Sequence, residues 1–157
     1  MKKFAKVLAV LSIAAVATAG VAAISACNSG ETYNGDYHYA NSHGEGNYGI
    51  KVKVTVSDGK ITKVEKVDSD YIECSAVNEN LNWTQAKVDN WNNKLPELLK
   101  SYEGKTVEEV LAMTSSIKGV DGATTNSVSD DSLVITDATQ GSARVLKAVQ
   151  DAIKDIK

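Results

Sequence analysis

The stretch from Ile50 to Val67 constrains the fold more than any other part of the chain. Ile50, Val52, Val54 and Val56 alternate with Lys51, Lys53 and Thr55. That two-residue period belongs to a strand with one face on a core and the other in water. Ser57-Asp58-Gly59-Lys60 supplies the chemistry of a tight hairpin turn, and Ile61 to Val67 returns as a second strand. The apolar residues of the return, Ile61, Val64 and Val67, are three apart, which predicts a bulge or a strong twist. Upstream, Tyr37-His38-Tyr39 is a short alternating piece, and Asn41 to Tyr48 is a glycine-rich loop.

Helical periods follow the hairpin. Thr84 to Tyr102 carries Ala86, Val88, Trp91, Leu95, Leu98 and Leu99 on one side, with Pro96 predicting a break or kink and Gly104 ending the segment. Thr106-Val107-Glu108-Glu109 reads as a capping box, so a short helix runs to about Met113. The last helix has the clearest stripe: Val145, Leu146, Val149, Ala152, Ile153 and Ile156, with Ser142 as its expected N-cap. A hairpin first and helices later, without βαβ alternation, argues an α+β fold. The expected architecture is an antiparallel hairpin-based sheet packed with helices, ending in a helix after a Thr/Ser motif.

The first 26 residues have a different character. Lys2, Lys3 and Lys6 form a basic head, Val7 to Ala26 is almost wholly apolar and small, and Ile24-Ser25-Ala26-Cys27 precedes polar Asn28-Ser29-Gly30. This is the layout of a secretory signal. Ile-Ser-Ala-Cys also resembles the bacterial lipobox, which implies cleavage after Ala26 and a lipid on Cys27. Two acyl chains would be needed, because one alone holds a protein to a membrane only marginally. About 20 apolar residues also suffice to span a bilayer, so an uncleaved membrane helix is the competing reading. Residues 1–26 are thus expected as a lipoprotein signal peptide, 27–36 as a flexible Gly/Ser/Asn-rich tether and 37–157 as one domain. The expected location is the extracytoplasmic face of the cell membrane, with the membrane a partner through the lipid on Cys27.

Removing 26 of the 157 residues leaves 131, the size of one domain. It also removes three lysines and no acid, taking the net charge from −3 to −6. That acidity argues against nucleic acid as a partner. With Cys27 used by the anchor, Cys74 has no partner in the chain, and a disulfide framework is excluded. Cys74 suits a small buried residue better than a reactive thiol. His38 and His43 are separated loop histidines with no nucleophile nearby, and Asp130-Asp131 reads as a solvent-facing pair. No hydrolase or transferase motif is present.

The most unusual stretch, Ser116 to Ser142, holds two near-copies of one pattern. Asp121-Gly122-Ala123-Thr124-Thr125-Asn126-Ser127 is the first, and Thr136-Asp137-Ala138-Thr139-Gln140-Gly141-Ser142 is the second. Both contain Ala-Thr-x-x-Ser, and the second leads into the final helix. Small hydroxylated residues at a helix start suit an anion, because free backbone N–H groups and the positive dipole end point at the same place. The same residues also serve as plain helix caps, and residues 119–132 also read as a surface loop.

The second copy resembles the hallmark of the FMN-binding domain family. That family includes domains of the C subunit of the sodium-pumping NADH:quinone oxidoreductase, the G subunit of Rnf-type complexes and surface lipoproteins of flavin-based extracellular electron transfer. In the hallmark an Asp and two residues precede Ser/Thr-Gly-Ala-Thr-x-Thr/Ser and a C-terminal helix; where FMN is covalent, its phosphate is joined to the last Thr or Ser. Thr136, Ala138 and Thr139 match, and Ser142 to Val149 resembles the following helix. Val54 to Ile61 and Asn34-Gly35-Asp36-Tyr37 are similar to the family as well, so the resemblance spans about residues 34–67 and 114–157.

The motif has departures. Asp137 stands in the glycine position, Gly141 in the acceptor position and Leu133 in the upstream Asp position. In the first copy Gly122, Ala123 and Thr124 match, while Asp121 and Asn126 depart. Asp beside a phosphate is repulsive, although Asp tolerates the left-handed backbone that a glycine supplies.

The resemblance implies FMN, non-covalent rather than covalent. Its contacts would come from Thr136, Ala138, Thr139, Gln140 and Ser142, or from Gly122, Ala123, Thr124 and Thr125. Tyr48, Trp83 and Trp91 are candidates to flank the ring. The implied function is electron relay outside the membrane, to or from a membrane or extracellular redox partner. The alternative is a non-redox lipoprotein that kept the fold, lost the flavin and binds another ligand or partner.

Overall fold

The computed structural model describes residues 30–40, 46–78, 82–120 and 122–156. The expected signal peptide, Cys27, His43 and Asp121 lie outside these residues. Glu31 to Lys157 forms one compact unit, of α+β class. The elements run β1 (Glu31–Tyr39), β2 (Tyr48–Ser57), β3 (Lys60–Val67), α1 (Gln85–Lys100), α2 (Val107–Ala112), β4 (Ser115–Ser116), β5 (Ser127–Val128), a 3₁₀ turn (Asp131–Leu133) and α3 (Thr139–Ile153). Strands β1-β2-β3 make an antiparallel sheet in that order, and β4-β5 a separate two-stranded ribbon.

The hairpin forms as the alternation dictates. Val52, Val54 and Val56 are buried on one face of β2, while Lys51, Lys53 and Thr55 are half-buried on the other. Asp58 and Gly59 both have positive φ, 51° and 72°, giving the two-residue turn whose twist matches the strands. The three-residue spacing in β3 has the expected cause. Thr55 pairs with Lys63 and Val56 with Ile61, so Thr62 is the extra residue of a bulge. Its Oγ1 donates to the Thr55 carbonyl at 3.2 Å. The bulge lets Ile61 and Val64 face the same core.

β1 is longer than the sequence suggests. It pairs with β2 from Glu31 opposite Val56 to Tyr39 opposite Tyr48, so residues 31–36, expected in the tether, are sheet. Its core-facing residues are Tyr33, Gly35, Tyr37 and Tyr39, none of them aliphatic. Gly35 is needed where α3 crosses: a Cβ there would land on the Ala148 carbonyl oxygen and 2.8 Å from the Ala152 Cβ. The Asp36 N–H donates to the Asp151 carboxylate at 3.0 Å, tying strand and helix together.

Helix α3 carries the core. Val145, Leu146, Val149 and Ile153 are fully buried, and each such side chain contributes about 1.5–3 kcal/mol. α1 buries Val88, Trp91, Leu95, Leu98 and Leu99, but Ala86, expected on that face, is exposed. The helix continues through Pro96 rather than breaking there. Pro96 and Asn92 both face water, so the Asn92 carbonyl left without an N–H partner is solvated. The capping box of α2 is complete: Glu109 N–H donates to Thr106 Oγ1 at 3.1 Å, and Thr106 N–H to Glu109 Oε2 at 2.7 Å. The Gln150 amide bridges α3 to the end of α2 by donating to the Val110 and Met113 carbonyls.

Ser142 is not the cap of α3. The helix begins at Thr139 with Ala138 as N-cap and no capping side chain. Ser142 lies one turn inside and is fully buried. Its Oγ accepts from Ile135 N–H at 2.9 Å and donates to the Ala138 carbonyl at 3.2 Å. It thereby holds the preceding segment down onto the helix.

Candidate functional site

The amino terminus of α3 opens into a pocket of about 290 Å³, near the lower bound for small-ligand sites. The Asp137–Gly141 backbone forms one side. Ile72, Glu73, Cys74, Ala76, Val77 and Asn78 form a further wall with Trp83 and Tyr48. Trp83 is fixed by donation from its indole N–H to the Cys74 carbonyl at 2.8 Å, and Asn78 and Trp83 exchange backbone bonds at 2.9 Å. Exposed Ile72 and Val77 add an apolar rim. Ile72 N–H donates to the Asn47 carbonyl at 2.7 Å, docking this wall onto the start of β2.

The pocket wall also includes Arg144, the only arginine of the chain. It keeps 5% of its surface exposed. Its Nε and Nη2 donate to the Tyr39 hydroxyl at 3.2 and 2.9 Å, and Nη1 lies 3.6 Å from Cys74 Sγ. The guanidinium carbon lies 5.3 Å from the Tyr39 ring centroid and 5.6 Å from that of Tyr48. All these partners are neutral. Among the described residues no carboxylate forms an ion pair with Arg144. A buried charge without a counter-ion costs several kcal/mol, and each cation–π contact returns only about 0.5–2 kcal/mol. The cation also lies near the positive end of α3, where the helix dipole opposes it.

Burial pushes the Tyr39 phenol and the Cys74 thiol upward, and the Arg144 charge pulls each partway back. Cys74 is therefore a buried, free thiol rather than a nucleophile. Gln140 Nε2 adds a third donor to the Tyr39 hydroxyl at 2.8 Å.

Of the two motif copies, only the second forms this pocket's backbone side. Asp137, Ala138, Thr139, Gln140 and Gly141 line it. Thr136 faces away, its carbonyl accepting from Asn90 Nδ2 at 2.8 Å. Gly122, Ala123, Thr124 and Thr125 sit in the β4–β5 connection and do not reach the pocket, although Asn126 beside them does. The glycine position keeps its backbone shape in both copies: φ is 70° at Gly122 and 65° at Asp137.

The acceptor position is closed to a hydroxyl. A Cβ on Gly141 would meet the Trp91 ring at 2.5 Å and Cys74 Sγ at 2.9 Å. Trp91 is thus packed behind the helix as core, not beside a ligand. Ser142 Oγ is buried with both partners made. A covalent phosphoester at either residue does not fit. A reversibly held flavin does fit the chemistry: two aromatic side chains, an apolar rim, a cation and uncapped helix N–H groups share one cavity.

Arg144, Tyr39 and Ile72 were missed by sequence reasoning. The chain's single arginine, set inside its final helix, was the available signal. His38 is exposed but engaged: its Nδ1 lies 3.0 Å from both Asp36 Oδ1 and the Tyr71 hydroxyl, which donates to Asp36 at 2.8 Å. Asp130 caps the 3₁₀ turn and pairs with Lys105 at 2.9 Å, unlike exposed Asp131. Among the described residues, no three His, Cys, Asp or Glu side chains converge as metal ligands, and no helix is long and apolar enough to cross a membrane. Set against family models, curated proteins and solved structures, the chain matches none of them.

Proposed function

We propose that this chain is a membrane-anchored, extracytoplasmic lipoprotein whose domain holds FMN reversibly in the α3 pocket and relays electrons outside the membrane. One observation carries the reading. The second Ala-Thr-x-x-Ser copy opens onto the cavity that also collects Tyr48, Trp83 and Arg144. FMN supplies the redox chemistry, a one- or two-electron change of its ring system. The chain's part is binding and placement. Trp83 and Tyr48 offer aromatic faces, the first turn of α3 offers backbone N–H groups, and Gln140 and Arg144 fix Tyr39 behind them. With β1 beginning at Glu31, a lipid on Cys27 would keep the start of the domain within roughly 15 Å of the membrane surface. That suits exchange with a membrane-bound redox partner.

A second reading is a non-redox binding lipoprotein. Asp137 favours it, because an acidic residue lines the pocket where the hallmark has glycine. The visible spectrum of purified, desalted protein produced with a flavin source separates the two. Flavin bands that disappear from the protein fraction after denaturation support reversible FMN. A colourless protein that also fails to take up added FMN supports the second reading.

A further inference from the structure

We infer that the α3 pocket is a receptor for one anionic group carried on a flat aromatic ligand, and that Arg144 receives that group. This rests on the reading of the cavity as a ligand site, but not on the ligand being a flavin. The chain has 17 lysines and arginines, and among the described residues its single arginine is the one that is buried, in the wall of this cavity. A guanidinium has five N–H donors in a planar fork. Here three donor contacts go to two neutral atoms, the Tyr39 oxygen and the Cys74 sulfur. Hydrogen-bonding capacity remains, and the positive charge is met only by the faces of the Tyr39 and Tyr48 rings.

The first turn of α3 raises the same demand from the backbone. No side chain caps it, and Thr139, Gln140 and Gly141 line the cavity. Helix end and guanidinium repel one another, and a single anion between them would relieve both. Glu73, the other acidic residue of the wall besides Asp137, is engaged by Lys66 at 2.6 Å. The aromatic body follows from the walls: Trp83 and Tyr48, with Ile72 and Val77 at the rim. A carboxylate on an aromatic acid and the phosphate of FMN share this chemistry.

The test uses the purified full-length chain and two probe pairs that differ only in charge, FMN with riboflavin and 2-naphthoate with 2-naphthamide. Calorimetric titration should find the charged member of a binding pair tighter by about tenfold or more. Arg144→Gln should level the pair, and Arg144→Lys should keep a weakened preference. Because the chain has one arginine, its Nε–H resonance is unambiguous in the wild-type protein. It should shift on addition of 2-naphthoate and stay in place with 2-naphthamide, which keeps the test open if Arg144→Gln does not fold. Binding of naphthoate but of neither flavin would support the receptor and remove FMN. Equal binding of FMN and riboflavin with a static Arg144 resonance would overturn the receptor and leave the flavin reading standing. No binding by any of the four probes would overturn the inference.

Discussion

Gly141 offers a sharp test of how the floor of the pocket is built, because two physical effects predict opposite signs there. It is the third residue of α3, and replacing a helical glycine with alanine normally stabilises by up to about 1 kcal/mol. The structure opposes that gain. The added Cβ would lie 2.5 Å from Trp91 Cζ3 and 2.9 Å from both Trp91 Cη2 and Cys74 Sγ. Trp91 is 2% exposed and cannot swing away. Overpacking of this kind costs about 1–3 kcal/mol, so Gly141→Ala should come out destabilised by about 1 kcal/mol after the helix gain is subtracted. Gly141→Thr, which supplies the missing hydroxyl, should lose about 2–3 kcal/mol. Urea unfolding with an unchanged m value measures this directly. Trp91→Phe should relieve the ring contact but not the one with Cys74 Sγ, so that Gly141→Ala destabilises less in that background; the double-mutant cycle isolates the Trp91 contact. A Gly141→Ala protein about 1 kcal/mol more stable than wild type would refute the close approach. It would also reopen position 141 as an attachment site.

Other consequences are as direct. Leu146→Ala, at a fully buried site, should cost about 2–5 kcal/mol by chemical denaturation, and a loss below 1 kcal/mol would contradict the core assignment. Thr106→Ala removes half of the capping box and should cost about 1 kcal/mol. The Asp130 carboxyl is held below its ordinary range by hydrogen bonds from Ser132 and Lys105. At Asp36 and Asp151 partial burial works the other way, but bonds from His38 and Tyr71, and from Lys154 and the Asp36 N–H, outweigh it. A depressed folded pKa contributes stability that is complete above the unfolded value near ~4 and is lost as pH falls through the folded value. The urea midpoint should therefore hold from pH 7 to 5 and drop on further acidification; a midpoint unchanged to pH 2 would contradict this. Partial desolvation and the Asp36 carboxylate push the Tyr71 phenol up to about 12, so its share of stability is whole below ~10 and lost as pH rises towards 12. Asp137→Asn keeps a residue tolerant of φ 65° while removing a carboxylate, and should tighten FMN by several-fold in calorimetry.

Much of the fold was legible because local rules and packing agreed. The Asp58-Gly59 turn, the β3 bulge, the Thr106 box and the α3 stripe each follow from a short pattern that tertiary contacts reinforce. β1 was legible only at Tyr37–Tyr39. Its core face is built from tyrosines and a glycine, and Asn-Gly-Asp looks like loop until the crossing of α3 explains Gly35. Ser142 misled for a related reason. A serine near a helix start reads as a cap, but its hydroxyl is spent one turn inside, tying down Ile135. The left-handed shape of Asp137 could be anticipated from its place in the repeated pattern. Arg144 could not be paired with Tyr39 and Cys74 from sequence, because those contacts span 105 and 70 residues.

The most direct measurement for the central claim is a titration of the purified, flavin-free protein with FMN, following flavin fluorescence in wild type and in Trp83→Leu. Trp83 stands in the pocket wall and Trp91 in the core. A flavin seated beside Trp83 should be quenched saturably at one equivalent, released on denaturation, and bound more weakly by the variant. Flavin fluorescence that stays that of free FMN at every protein concentration, with no flavin retained after desalting, would contradict the account.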